Sequence, residues 1–149
     1  MKVCLVCSSG GHLLELYRLS SAWTGMDRFW VSFQGVDTDC LLQGERVIHA
    51  HHPTNRNVWN LLRNMVVAWR VLRRERPDII VSTGAGVAIP FFYLGRLMGI
   101  RTVFIESLTR IHKVSLTGRL VYPVASRFLV QWPQLAEKLT RADFGGRVL

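Results

Sequence analysis

Twice in this chain a short, almost wholly apolar run ends in a glycine-rich turn that opens a helix. Lys2 to Cys7 runs into Ser8-Ser9-Gly10-Gly11-His12, and Asp78 to Ser82 into Thr83-Gly84-Ala85-Gly86. A continuous apolar strand is buried on both faces, and the glycines let the backbone reverse within a few residues. The same alternation continues along the chain. Strands are expected at Arg28–Phe33, Arg46–His49, Arg101–Ile105 and Arg127–Gln131. Helices are expected at Leu13–Ala22, Asn57–Glu75, Ala88–Met98 and Pro133–Thr140, and the segment Ser115–Ala125 leads into the last strand. This pattern predicts one α/β domain over residues 1–149, a doubly wound, Rossmann-like parallel sheet. Ligands then bind beyond the carboxyl ends of the strands, among the loops after Cys7, Phe33, Ser82, Ile105 and Gln131.

The chain has 149 residues, 49 % of them apolar and 19 % charged, which excludes a disordered tail. The longest uncharged apolar run, Ile79–Gly95, holds Ser82, Thr83, three glycines and Pro90, so it does not read as a membrane span. Met1-Lys2 leads directly into a strand, so no leader is expected and the cytosolic side is the expected location. Cys4 and Cys7 have CxxC spacing but lie in a strand, not at the helix start that lowers a redox thiol's pKa; with Cys40 they read as core residues. Lys and Arg outnumber Asp and Glu by 19 to 10, a net +9 that calls for an acidic partner.

The first glycine turn offers backbone N–H groups at a helix start, where Ser9, Gly10 and Gly11 suit an anion and His12 faces the crevice. A tight turn with a surface histidine is the plainer alternative. Thr83, Gly84 and Gly86 form a second cradle at the same edge. Glu106 stands where the chain leaves the strand Arg101–Ile105, as a proton carrier or as a cap for the next segment. Arg110, His112 and Lys113 follow it and add positive charge for a phosphorylated ligand. His49, His51 and His52 lack nearby cysteine or carboxylate at ligand spacing, so no metal is expected. GxGxxG is absent and no acidic residue ends the second strand, which disfavours a nicotinamide dehydrogenase. No cofactor is expected.

In the helix from Asn57, Val58, Leu61, Leu62, Met65, Val66, Trp69 and Leu72 share one broad face, which is the core face if this is an ordinary core helix. Arg56, Arg63, Arg70 and Arg74 fall within about 40° of one another on the wheel. A basic stripe beside Trp59 and Trp69 suits an anionic membrane surface, with a solvated basic flank as the alternative. No motif of a nucleic-acid binder accompanies the charge, so nucleic acid is not an expected partner.

Five motifs in order, Ser8–His12, Ser82–Pro90, Phe104–Ser107, Leu116–Gly118 and Val130–Pro133, resemble the Alg14 family, including its bacterial PssD and CpsF type members. The resemblance covers nearly the whole chain. It implies the N-terminal, acceptor-side half of a split GT-B glycosyltransferase, similar to the acceptor domain of MurG. A separate subunit of the Alg13, PssE or CpsG type would hold the UDP-sugar, since 149 residues leave no room for a donor domain. The two chains together would extend a sugar on a polyprenyl diphosphate at the cytoplasmic face of the plasma membrane, in exopolysaccharide, capsule or glycolipid synthesis. Relatives use UDP-GlcNAc, UDP-glucuronate or UDP-galactose. Eukaryotic members carry an N-terminal anchor not expected here, which leaves peripheral contact through the basic-aromatic helix. His12 or Glu106 would take the proton in an inverting transfer without metal, and Gly10 and Gly11 would orient phosphate. Two rival readings are a non-catalytic membrane adaptor for an active partner and a nucleotide-binding oxidoreductase.

Overall fold

A computed structural model describes residues 1–148. Seven strands form one parallel sheet: β1 (Lys2–Val6), β2 (Asp27–Ser32), β3 (Val47–His49), β4 (Ile79–Ser82), β5 (Arg101–Ile105), β6 (Arg127–Val130) and β7 (Ala142–Phe144). Their order across the sheet is β3-β2-β1-β4-β5-β6-β7, so the chain first winds one way from β1 and then crosses back to wind the other way. The helices are α1 (Gly11–Arg18), α2 (Val36–Leu41), α3 (Val58–Glu75), α4 (Ala88–Leu97), α5 (Leu116–Val121) and α6 (Pro133–Ala136).

Strand side chains alternate between two cores. Cys4, Val6, Phe29, Val31 and Ile80 pack with residues of α3 to α6 on one face. Val3, Leu5, Trp30 and Val81 pack with Leu13 and Leu16 of α1 on the other. Phe104 is fully buried, with the rings of Phe92 and Phe128 at 5.8 and 5.1 Å. Burying such a side chain contributes about 2–3 kcal/mol. Cys4 and Cys7 fall in opposite cores, so the CxxC spacing has no redox meaning, and burial pushes the Cys7 thiol up to about 12. Cys40, expected in the core, is exposed.

The strands match the expected ones within a residue or so. The first helix is shorter, α1 giving way to a 3-10 turn at Ser20–Trp23. Residues 36–41, expected as loop, form α2, whose first turn carries Asp37 and Asp39 at the positive end of the helix dipole. The segment Ser115–Ala125, to which the sequence pattern assigns no element, holds α5, with Ser115 as its N-cap, its side chain accepting from Gly118 N. The helix from Pro133 ends at Ala136 and β7 follows it, a three-residue edge strand too short to show a pattern.

The largest departure is in α3. Its buried stripe is Asn60, Asn64, Ala68, Val71 and Leu72. Trp59 (69 %), Leu62 (54 %), Val66 (48 %) and Trp69 (47 %) are exposed on nearly the opposite side. The helix is thus turned by about a third of a rotation from the setting that its apolar residues alone favour. The two asparagines explain it. Asn64 donates to the His51 carbonyl at 2.9 Å and accepts from His51 N at 2.8 Å, while Asn60 donates to the Pro53 carbonyl at 2.8 Å. Left unsatisfied, each buried amide would cost about 1–3 kcal/mol, so these bonds fix which side faces inward. Arg56 lies before the helix, at φ 49°, and so is not on the stripe with Arg63 and Arg70.

Candidate functional site

The winding reverses between β1 and β4, and the loops leaving these two strands part there to open a cleft of about 770 Å³. Its floor and walls come from the turn after β1, the turn after β4, the loop after β5, the segment leading into α3, and the first turns of α4 and α5. Such a volume suits a ligand of drug or sugar size.

His12 is the link between the two glycine turns. Its carbonyl accepts from Thr83 Oγ1 at 2.6 Å, and its ring lies against Gly84. A Cβ at Gly84, whose φ is 129°, would stand 2.9 Å from the imidazole Cε1, so only glycine admits the ring. His12 Nδ1 is buried with no hydrogen-bond partner. Ala85 next to it adopts φ 71°, a left-handed setting that costs a non-glycine residue about 1 kcal/mol.

Opposite His12 lies a fully satisfied polar knot. Glu106, 1 % exposed, accepts from Ser107 N at 3.0 Å through Oε1. Its Oε2 accepts from Ser115 N and Ser115 Oγ at 2.9 and 3.0 Å, at the head of α5. A Cβ on Gly118 would collide with that oxygen, which gives the Leu116-Thr117-Gly118 motif its reason. Glu15 of α1 is also buried. It accepts from Ser107 Oγ at 2.8 Å, Leu108 N at 3.3 Å and Gln131 Nε2 at 3.0 Å. Gln131 also donates to the Glu106 carbonyl at 3.1 Å, and Trp132 Nε1 to the Leu108 carbonyl at 2.6 Å. Two buried carboxylates without a cation are tolerable because each accepts several N–H or O–H bonds. Their effect is to hold the loop 106–110 rigidly over the cleft.

Of the residues expected at the site, Gly11, His12, Gly86, Glu106 and Arg110 line the cleft together. Ser9, Gly10, Thr83 and Gly84 do not; Thr83 and Gly84 support His12 from behind. The Gly10 N–H is already engaged by the Asp37 carboxylate, so it does not stand free for a phosphate. Glu15, Asn60 and Asn64 were not foreseen. Glu15 reads in sequence as a helix-surface residue, and the asparagines' partners lie in the loop before α3, where no spacing pattern marks them.

Trp59, Arg63, Trp69, Arg70 and Arg74 all face outward on α3, where Arg73 stacks its guanidinium 4.9 Å from the Trp69 ring centroid. Arg74 pairs with Glu75 at 3.0 Å. α4 packs between α3 and α5 in one layer, and Tyr93 and Leu97 of α4 and Leu116 and Leu120 of α5 are also exposed. These exposed apolar residues and the arginines beside them lie on the three helices of one layer. Among the described residues no helix is long and apolar enough to cross a membrane.

Residues 40–148 match the family described as "Oligosaccharide biosynthesis protein Alg14 like". The chain is 38 % identical over 89 residues to the UDP-N-acetylglucosamine transferase subunit ALG14 of Yarrowia lipolytica, covering 56 % of this chain and 41 % of that one. It is 27 % identical to the subunit of the same name from Debaryomyces hansenii, covering 97 % of this chain and 75 % of the other. With the human subunit it shares 29 % identity over 62 % of this chain and 45 % of that one. The chain thus spans about two fifths of the Yarrowia protein and less than half of the human one. In fold it superposes on Acinetobacter baumannii MurG with a TM-score of 0.79 at 16 % identity, over 99 % of this chain and 45 % of that one. A Methanocaldococcus jannaschii UDP-GlcNAc 2-epimerase gives a TM-score of 0.79 at 12 % identity, over 99 % and 47 % of the two chains.

Proposed function

The chain belongs to the Alg14 family, and from that premise we propose that it is the acceptor-binding, membrane-facing half of a two-chain glycosyltransferase. The reaction is transfer of a sugar from a UDP-sugar to a polyprenyl-diphosphate-linked saccharide, in glycolipid, capsule or exopolysaccharide synthesis. The relatives' names, each a subunit of a UDP-N-acetylglucosamine transferase, support a second chain, of the Alg13, PssE or CpsG type, that binds the donor. The observation that carries the reading is the turned α3: the cleft opens at its N-terminal end, beside the exposed Trp59, and the same outward side continues along the helix through Arg63, Trp69 and Arg70. The reading includes a peripheral seat on the cytoplasmic face of the plasma membrane, with indoles among the headgroups and arginines on lipid phosphates.

In the transfer, an acceptor hydroxyl attacks the anomeric carbon from the side opposite UDP. The new carbon–oxygen bond forms as the bond to the UDP oxygen breaks, inverting that centre. The hydroxyl proton passes to the His12 imidazole, which lines the cleft and stands outside the polar knot. Glu106 acts through geometry: with three hydrogen bonds already accepted, it is a positioning residue that fixes the head of α5 and the loop 106–110.

A panel of UDP-sugars offered with a polyprenyl-diphosphate-linked sugar, with and without the candidate small subunit, tests this. Transfer is expected only with both chains and is expected to fail with His12→Ala. Transfer by this chain alone would overturn the split reading. Full transfer by the His12→Ala complex would favour a non-catalytic adaptor.

A further inference from the structure

We infer that the cleft grips the acceptor's diphosphate between Arg56 and Arg110 and leads its isoprenoid chain out through an apolar gap between α3 and α5, with the glycine turn after β1 left free of phosphate. This rests on the reading above that the acceptor is a lipid-linked diphosphate.

The turn after β1 is the obvious phosphate seat by its glycines, yet its chemistry is wrong for one. Asp37, from the first turn of α2, already accepts from the Gly10 N–H. Glu15, on the helix that this turn opens, brings a second carboxylate to the cleft wall. A diphosphate placed there would meet like charge.

Arg56 and Arg110 are the two arginines that line the cleft. Neither belongs to any of the ion pairs among the described residues. Both are held by their backbones. Arg56 follows the segment that Asn60 fastens through the Pro53 carbonyl, and Asn57 beside it caps α3 by accepting from Asn60 N at 2.9 Å. Arg110 N donates to the Ser107 carbonyl at 2.9 Å, within the loop that Glu15 and Glu106 immobilise. Two guanidiniums on ordered loops are a fitting clamp for a diphosphate. From there the wall turns apolar, through Val58 and Leu61 of α3, Ile89 of α4, and Leu116 and Leu120 of α5. Val58, Leu116 and Leu120 are at once wall and exposed surface, so the gap runs out onto the outward face that carries Trp59 and Leu62. A cationic head region continuous with an apolar exit is complementary to one kind of ligand, a diphosphate ester of a long hydrocarbon.

The test is solution binding to the full chain, without vesicles, donor or partner, using farnesyl diphosphate, inorganic diphosphate and farnesol as probes in calorimetry. Farnesyl diphosphate should bind at least tenfold more tightly than either of the other two. Arg56→Gln and Arg110→Gln should each weaken both diphosphates about tenfold. Leu116→Ser with Leu120→Ser should lower farnesyl diphosphate toward the inorganic value and leave inorganic diphosphate unchanged. Arg101→Gln, at the amino-terminal end of β5 and away from the cleft, controls for net charge, and thermal unfolding confirms that each variant folds. Equal affinity for farnesyl and inorganic diphosphate overturns the proposal, as does indifference to both arginine changes. Tightening by Asp37→Asn with that indifference would put the diphosphate on the glycine turn. Binding as expected, with no transfer by the assembled complex, would instead refute the glycosyltransferase reading and leave this site standing.

Discussion

Replacing Trp59 and Trp69 together by serine removes the aromatic part of the outward α3 face while leaving both cores untouched. A large aromatic presents roughly 200 Å², so at 69 % and 47 % exposure the two indoles leave about 230 Å² uncovered. At ~25 cal/mol per Å², complete burial of that area in lipid amounts to about 6 kcal/mol, and half-depth insertion at the headgroup boundary to about 3 kcal/mol. That corresponds to about two decades in partition coefficient. Sedimentation with vesicles containing anionic lipid measures it directly, over a range of lipid concentrations. The double variant should need about a hundredfold more lipid for half-binding, with its unfolding midpoint within a few degrees of the parent, because both rings are outside the cores. Unchanged partition would refute the membrane assignment of this face. A large drop in stability would show instead that these rings hold the fold.

Charge reversal at Arg63 and Arg70 should weaken vesicle binding further and remove most of its salt dependence; binding that ignores both charge and salt would argue against lipid phosphates as the contact. His12→Ala in the assembled complex should lower kcat by about 10²–10⁴ with the two chains still associated, as a lost general base requires. Glu106→Gln turns an acceptor toward the Ser107 and Ser115 N–H groups into a mixed donor, and urea unfolding should record a loss of about 2 kcal/mol; no loss would mean that the knot around α5 is not built as described. Arg28 hydrogen-bonded to Glu45, and Lys2, Arg74 and Arg46 around Glu75, hold both carboxyls below their ordinary value of 4.5. A depressed folded-state value means stability that is complete above pH 4.5 and is lost as pH falls through that lower value. The urea midpoint should therefore fall below about pH 4.5, and less steeply in Glu45→Gln with Glu75→Gln. A thiol reagent should label Cys40 alone in the native protein and all three cysteines after denaturation, since Cys4 and Cys7 are buried with raised thiol values.

The sheet was legible because parallel strands write themselves as unbroken apolar runs, and the site's location followed from the glycine turns at their ends. Glu106 stands out because a polar residue immediately past a buried strand has few places to go, and His12 because it closes the glycine turn at the head of α1. Other features depended on contacts that no local pattern encodes. The setting of α3 is decided by Asn60 and Asn64, whose partners are carbonyl and amide groups of residues 51 and 53. Apolar periodicity alone assigned the tryptophan side partly to the core, whereas the basic stripe pointed outward, and the stripe proved the better guide. Asp37 reached Gly10 across 27 residues and Glu15 reached Gln131 across 116, distances at which sequence spacing is silent. The short elements α2 and β7 escaped because three to six residues hold less than two periods of any pattern.

The account stands most directly on one comparison of rates in the assembled two-chain enzyme. The acceptor is offered in two forms: a full-length polyprenyl-diphosphate sugar embedded in anionic vesicles, and a short-chain, water-soluble analogue. If the outward face of α3 brings the cleft to the lipid surface, Trp59→Ser with Trp69→Ser should depress transfer to the embedded acceptor about a hundredfold while sparing the soluble one. Equal loss on both, or no loss on either, would contradict it.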